Sequence, residues 1–251
     1  MNPESVYSLQ KIGEIHSPFK QKFGTPRQSR LIPQVPGYVQ FDPKRLSTGA
    51  LEGLEGFSHV WLIVFFHLNR PLLNKGKIHP PRLQGKKQGV FASRSPHRPN
   101  PIGLSLVEVQ SVDIANLRLH FIGHDLVDRT PLFDLKPFIS TYDKPIKSRD
   151  GWHPLVKEAL FDVIWSDEAL QQSQLLQISK TDIELISQCL TNDVRSRHDR
   201  GKADKIYYWH FMDYDFKFCY QGQQLKILGI RRFTNDLDEP SANGLLKQTK
   251  P

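Results

Sequence analysis

The sequence predicts a mainly β fold, an N-terminal antiparallel β-barrel domain followed by a small α+β C-terminal domain. Two observations in the first part of the chain carry that reading. Short apolar runs of strand character recur at close intervals, separated by turns rich in Gly, Pro, Asn and Asp. Helical periodicity is nearly missing there, so the crossover helices that a parallel sheet needs are not available. The third observation is a boundary: residues 143–151, D-K-P-I-K-S-R-D-G, are polar and turn-forming, and helical spacing of apolar residues begins beyond them. The expected division is a barrel domain over 1–142, a second domain over 150–235 and a flexible tail over 236–251.

Taken in order, residues 7–15 carry Leu9, Ile12 and Ile15 at a slipped strand period, ended by His16-Ser17-Pro18-Phe19. Residues 20–30 are a polar, basic loop, and 38–41 form a short strand. Asp42-Pro43 supplies a cap and first-turn pair for one or two helical turns through Leu51. The run at 57–67, F-S-H-V-W-L-I-V-F-F-H, is the clearest strand and is expected to be buried on both faces. Further strands are expected at 89–93, 102–112, 117–122 and 133–139. Past the boundary, 152–160 and 167–186 read as helical. Residues 206–220 alternate as one strand, pairing with 225–233.

Composition narrows the function classes. The 251 residues suffice for one large and one small core, and a net charge of +8 invites an anionic partner. Distribution matters more than the sum. Residues 56–107 contain no Asp or Glu, yet hold Arg70, Lys75, Lys77, Arg82, Lys86, Lys87, Arg94 and Arg98, with His59, His67, His79 and His97. Such a one-signed field steers polyanions and adds salt-dependent affinity; a solvated basic loop is the plainer alternative. No run of eighteen apolar residues and no signal-peptide core occurs, so a soluble, cytoplasmic protein without membrane contact is expected. Cys189 and Cys219 lie far apart, against a disulfide framework or a zinc cluster, and the histidines lack metal-ligand spacing, so no metal is expected. The Rossmann and P-loop glycine patterns are both missing.

The stretch at 89–105, G-V-F-A-S-R-S-P-H-R-P-N-P-I-G-L-S, sets Arg94, His97, Arg98 and Asn100 among three prolines. Proline fixes φ near −65° and biases its predecessor toward extended backbone, so these polar side chains stand on a stiff support that loses little entropy on binding. A rigid inter-strand turn explains the same residues equally well. Residues 125–128, D-L-V-D, read alone as a turn whose aspartates cap their own backbone. Residues 193–202, D-V-R-S-R-H-D-R-G-K, are dense in guanidinium groups suited to phosphate, but a solvated loop is the favoured reading of them taken alone.

Several of these pieces together resemble one family. His16-Ser17-Pro18-Phe19, Pro26-Arg27-Gln28, residues 54–67, Pro80-Pro81-Arg82-Leu83, residues 89–105 and residues 125–137, D-L-V-D-R-T-P-L-F-D-L-K-P, look like the TsaA/TrmO-like family. The resemblance implies an S-adenosylmethionine-dependent methyltransferase acting on N6 of threonylcarbamoyladenosine at position 37 of tRNA, next to the anticodon, in a homodimer. It places the cofactor on Pro26, Arg27, Gln28, His67, Leu68, Arg94, Leu104, Asp125, Leu126, Val127 and Asp128. Arg129 departs from the pattern, standing where the family carries glycine.

Chemistry assigns roles within that set. Arg94 suits a fork onto the cofactor carboxylate, Leu104 the adenine face, and Asp125 and Asp128 the hydroxyls, amino group or sulfonium. A carbamoylated nitrogen is a poor nucleophile while protonated, which makes Asp134 the candidate base and Lys136 the counter-charge to the threonyl carboxylate or a phosphate. An ion-paired structural carboxylate is the competing reading of Asp134. Arg82, His97, Arg98, Asn100, Lys136 and Arg195 are the expected substrate and RNA contacts. Two other functions stay open on the residues: a non-catalytic RNA-binding barrel, and a methyltransferase acting on a small anionic metabolite.

Overall fold

The computed structural model describes residues 7–69, 76–80, 83, 85–153, 160–196, 199–202 and 205–234. These divide into two units, the first drawn from Met1–Ser17, Gln28–Pro80 and Lys87–Arg149, the second from Pro18–Arg27, Pro81–Lys86 and Asp150–Pro251. The expected tail over 236–251 lies outside the described residues.

In the first unit the strands are β1 (Gly13–His16), β2 (Pro36–Phe41), β3 (His59–Phe65), β4 (Lys77–Ile78), β5 (Gln88–Gly89), β6 (Ile102–Asp113), β7 (Arg118–Ile122) and β8 (Pro131–Pro137). Six of them close into the expected barrel in the order β1-β2-β7-β6-β3-β8, with every pairing antiparallel. Closure leaves one face of each strand inside, and strict alternation fills it: Ile15, Val39, Val60, Leu62, Val64, Val107, Leu119 and Leu132 are fully buried. Strand β3 therefore corrects the expectation of burial on both faces. Its outward residues, Trp61, Ile63 and Phe65, are only half-buried, Trp61 lying 6.3 Å from the Phe138 ring and Phe65 5.9 Å from that of Phe133. The aromatic run is continuous because a second, shallower apolar layer sits on the barrel wall.

Two local expectations also change. The strand at 89–93 shrinks to β5, and Val90–Ala92 turns as a 3-10 helix, closed by the Ser93 amide and hydroxyl, both donating to the Val90 carbonyl at 3.2 and 2.8 Å. Asp42 caps as expected, its Oδ1 accepting from the Lys44 amide at 2.9 Å, but the turn it opens is short and is followed by a 3-10 helix at Thr48–Leu51.

The second unit contains β9 (Asp162–Trp165), α-helices at Asp167–Leu175 and Lys180–Thr191, β10 (Tyr207–Phe211), β11 (Tyr214–Gln221) and β12 (Gln224–Arg232). The sheet order is β10-β11-β12-β9, with β9 parallel to β12. Ser166 and Ser179 cap the two helices by accepting from the Ala169 and Asp182 amides. Where one strand was expected over 206–220 there is a hairpin, because Met212 adopts φ +54° and reverses the chain between Phe211 and Tyr214. Residues 154–159 of the expected helix at 152–160 lie outside the described residues.

Candidate functional site

The bend that follows β7 is organised by a residue that the sequence reading passed over. His124 is 1% exposed, its Nε2 sits 3.0 Å from the Pro36 carbonyl, and its Nδ1 accepts from the Leu126 amide at 3.2 Å. One nitrogen donates and the other accepts, which requires the neutral ring. Burial enforces that state, pushing the His124 pKa down to about 4. A Cβ on Gly37 would come within 2.9 Å of Nε2, so glycine is what lets β2 approach the imidazole.

The two aspartates of the bend are then held by different partners. Asp125 accepts from the Ser105 hydroxyl at 2.6 Å. Burial raises its pKa, opposed by that hydroxyl, by backbone groups at Asp125 and Ser29, and by the charge of Arg94. Asp128 accepts from the Ser17 amide at 2.8 Å. Next to it, the Arg129 amide donates to the Ile15 carbonyl at 2.8 Å while the Ile15 amide donates to Thr130 at 2.9 Å, so two residues oppose one. That is a β-bulge, and its first residue takes the left-handed conformation, φ +60° at Arg129. The Thr130 amide and hydroxyl both donate to the Val127 carbonyl, at 3.2 and 2.6 Å, and close the turn.

Two other segments reach this bend. Arg94 donates through Nη1 to Gln28 Oε1 at 2.6 Å, and its charge favours the ionised form of Asp125. His67, just beyond β3, has its pKa lowered by burial against the opposing charges of Glu14 and Asp128. Leu126 is anchored in the core, whereas Leu68 and Leu104 are exposed, Leu104 by 59%. His97 Nε2 lies 3.3 Å from Asn69 Nδ2, and Arg98 donates to the carbonyls of Ser93 and Ser95 at 3.4 and 3.5 Å. The Asn100 carbonyl accepts from the Ile102 amide at 2.7 Å.

Pro26 and Arg27 belong to the second unit, where Arg27 Nη2 donates to the carbonyls of Asp193 and Arg195 at 3.4 Å each. Burial, with Arg200 nearby, lowers the Arg27 pKa. Arg195, expected to contact RNA, is 9% exposed, its Nε and Nη2 donate to the two carboxylate oxygens of Asp193 at 2.9 and 3.3 Å, and its guanidinium lies 3.8 Å from the Tyr220 ring centre. The two-point grip on Asp193 fixes the guanidinium in place. Asp134 is half-exposed and paired with Lys136 at 3.2 Å, its Oδ1 accepting from the Leu135 amide. Arg82 lies outside the described residues. Among the described residues no group of three His, Cys, Asp or Glu side chains is placed to hold a metal ion, and no helix is long and apolar enough to cross a membrane.

Residues 14–144, which carry the barrel and this bend, match the family described as the tRNA-methyltransferase O N-terminal domain. The chain belongs to the TrmO family. A TrmO crystal structure from Pseudomonas aeruginosa superposes with a TM-score of 0.74 at 32% identity, covering 93% of this chain and 100% of that one. The Escherichia coli K12 tRNA (adenine(37)-N6)-methyltransferase is 34% identical over 206 residues, 79% of this chain and 86% of its own length. A Pseudomonas aeruginosa protein, RcsF, which carries the provisional name of an S-adenosylmethionine-dependent methyltransferase, is 36% identical over 86% of this chain and 93% of itself. The similarity to TrmO proteins thus runs through both units rather than stopping at the barrel.

Proposed function

We propose that this chain is an S-adenosylmethionine-dependent methyltransferase that adds a methyl group to N6 of adenine 37 in tRNA. The observation that carries the reading is the 125–128 turn of a TrmO-family barrel, where Ser105 holds Asp125 and the Ser17 amide holds Asp128. The donor set fits the cofactor. It offers a guanidinium for the methionine carboxylate and two anchored carboxylates for the ribose hydroxyls, the amino group or the sulfonium, with Leu68 and Leu104 exposed for the adenine. When bound, S-adenosylmethionine supplies a methyl group on a sulfonium sulfur that departs as a neutral thioether.

The protein's contribution is alignment. His124 and the bulge at Arg129 fix the bend before anything binds, so little ordering entropy remains to be lost when the reactants meet. N6 must give up a proton as it gains the methyl group. Asp134 is the proposed acceptor, and Lys136, 3.2 Å from it, is the proposed partner of the threonyl carboxylate on the modified adenosine. A homodimer and a cytoplasmic setting complete the proposal; the exposed apolar side chains of Phe91 and Ile102 suit the surface of a second copy. Calorimetry with S-adenosylmethionine tests the cofactor reading. Saturable binding that weakens tenfold or more in Arg94→Ala and Asp128→Ala supports it, and equal affinity in both variants, or no binding by the wild type, overturns it.

A further inference from the structure

The outer wall of the barrel carries a row of rings apart from the proposed cofactor and proton-acceptor residues. His16 of β1 pairs with Tyr38 of β2, and Tyr38 with His120 of β7, so three aromatic side chains occupy one register row across three neighbouring strands. His16 and Tyr38 stack with centroids 4.4 Å apart and planes 4° from parallel; Tyr38 and His120 are 5.5 Å apart and tilted by 33°. In the next row Arg118 donates through Nε to Gln40 at 2.6 Å and brings its guanidinium to 5.5 Å from the Tyr38 ring centre. All four side chains are partly exposed, while Ile15, Val39, Leu119 and Phe121 of the same strands fill the core. A barrel wall facing only water needs no such ladder, since polar residues serve there.

The ladder starts at the candidate site. His16 stands between Ile15, whose carbonyl accepts from the Arg129 amide, and Ser17, whose amide holds Asp128. Charge in the neighbourhood favours an anion. Glu14 is matched by Lys11, and Asp113 accepts from Asn116 and faces Arg118 and His120, which leaves the exposed Arg129 at the site end as the cation with no acid opposite it among the described residues. Stacked rings beside guanidinium groups are what an unpaired nucleotide recognises, through its base face and its phosphate.

We infer that His16, Tyr38 and His120, with Arg118 and Arg129, form a stacking track for an unpaired nucleotide of the RNA strand that delivers the target adenine. This rests on the proposed tRNA substrate. The test is fluorescence anisotropy of a labelled anticodon stem-loop with the full chain, run beside S-adenosylmethionine calorimetry and sedimentation velocity. His120→Ala and Tyr38→Leu are expected to weaken RNA binding roughly tenfold each, with cofactor affinity and sedimentation unchanged, and Tyr38→Phe is expected to retain wild-type affinity. Equal RNA affinity in His120→Ala and wild type overturns the track. So does a change in sedimentation in that variant, which would make the wall a protein interface. If the wild type binds the stem-loop but transfers no methyl group to tRNA, the proposed function fails while the anisotropy series still decides the track. Should Tyr38→Leu not fold, His120→Ala and Arg118→Gln, both at partly exposed positions, decide it.

Discussion

Replacing His124 with glutamine should flatten the acid side of the barrel's stability profile. The wild-type imidazole is buried and neutral, with its pKa pushed down to about 4 from an ordinary 6.5. The unfolded chain therefore takes up a proton as the pH falls through 6.5, whereas the folded chain does so only near 4. Stability from the neutral ring is fully present above pH 6.5, falls by about 1.4 kcal/mol per pH unit below it, and is lost once the pH passes the folded value. Over the whole window the loss is about 3 kcal/mol, a large share of a typical folding free energy. Urea unfolding of wild type and His124→Gln at pH 7.0, 6.0, 5.0 and 4.5 measures it. His67 and His210, whose pKa values burial also lowers, titrate in both proteins and cancel in the difference. Fluorescence of Trp61, the tryptophan on β3, reports the barrel. The variant should be less stable at pH 7, having lost a fitted donor and acceptor, and the two curves should converge toward pH 4.5. Parallel curves would refute the neutral clamp.

Three further outcomes follow from the same geometry. Asp125→Asn should raise barrel stability at pH 7 while weakening S-adenosylmethionine binding, because burial raises the Asp125 pKa and the ionised carboxylate is held at a penalty that grows as pH rises through that value; calorimetry and urea unfolding read the two effects. Arg129→Gly should leave the fold as stable or raise it by up to about 1 kcal/mol, since a left-handed arginine costs about 1–2 kcal/mol and glycine returns part of that as unfolded-state entropy. The same substitution should raise KM for tRNA without changing cofactor affinity, and steady-state kinetics beside thermal unfolding would show both. Asp134→Asn should lower kcat at least tenfold with S-adenosylmethionine affinity unchanged; unaltered turnover would reduce the Asp134–Lys136 pair to surface structure.

Much of this was legible in the chain because a closed barrel imposes one simple rule, alternation, on every strand. Val60, Leu62 and Val64 obey it, yet Trp61, Ile63 and Phe65 between them are also apolar, so a half-buried outer wall read as a second buried face. The hairpin at Met212 was hidden for a different reason: its left-handed residue is neither glycine nor asparagine, and the alternation runs through the turn unbroken. Strand β9 is four residues long and pairs in parallel, which leaves no pattern to find. Arg94, Gln28, Asp125 and Asp128 stand within motifs that the sequence displays. His124 and the Ser17 amide carry no such signal, since a buried histidine looks like any other and a backbone donor has no sequence signature. In the arginine-rich loop at 193–202 charge density says nothing of seating: Asp193 and Tyr220 give Arg195 a buried place that only the folded chain reveals.

The most direct measurement of the central claim is mass spectrometry of tRNA nucleosides from cells lacking this gene, complemented with the wild-type chain or with Asp128→Ala. The wild type should restore a nucleoside heavier by one methyl group at N6 of the modified adenosine at position 37, and Asp128→Ala should not. An identical nucleoside profile with and without the wild-type gene would contradict the account.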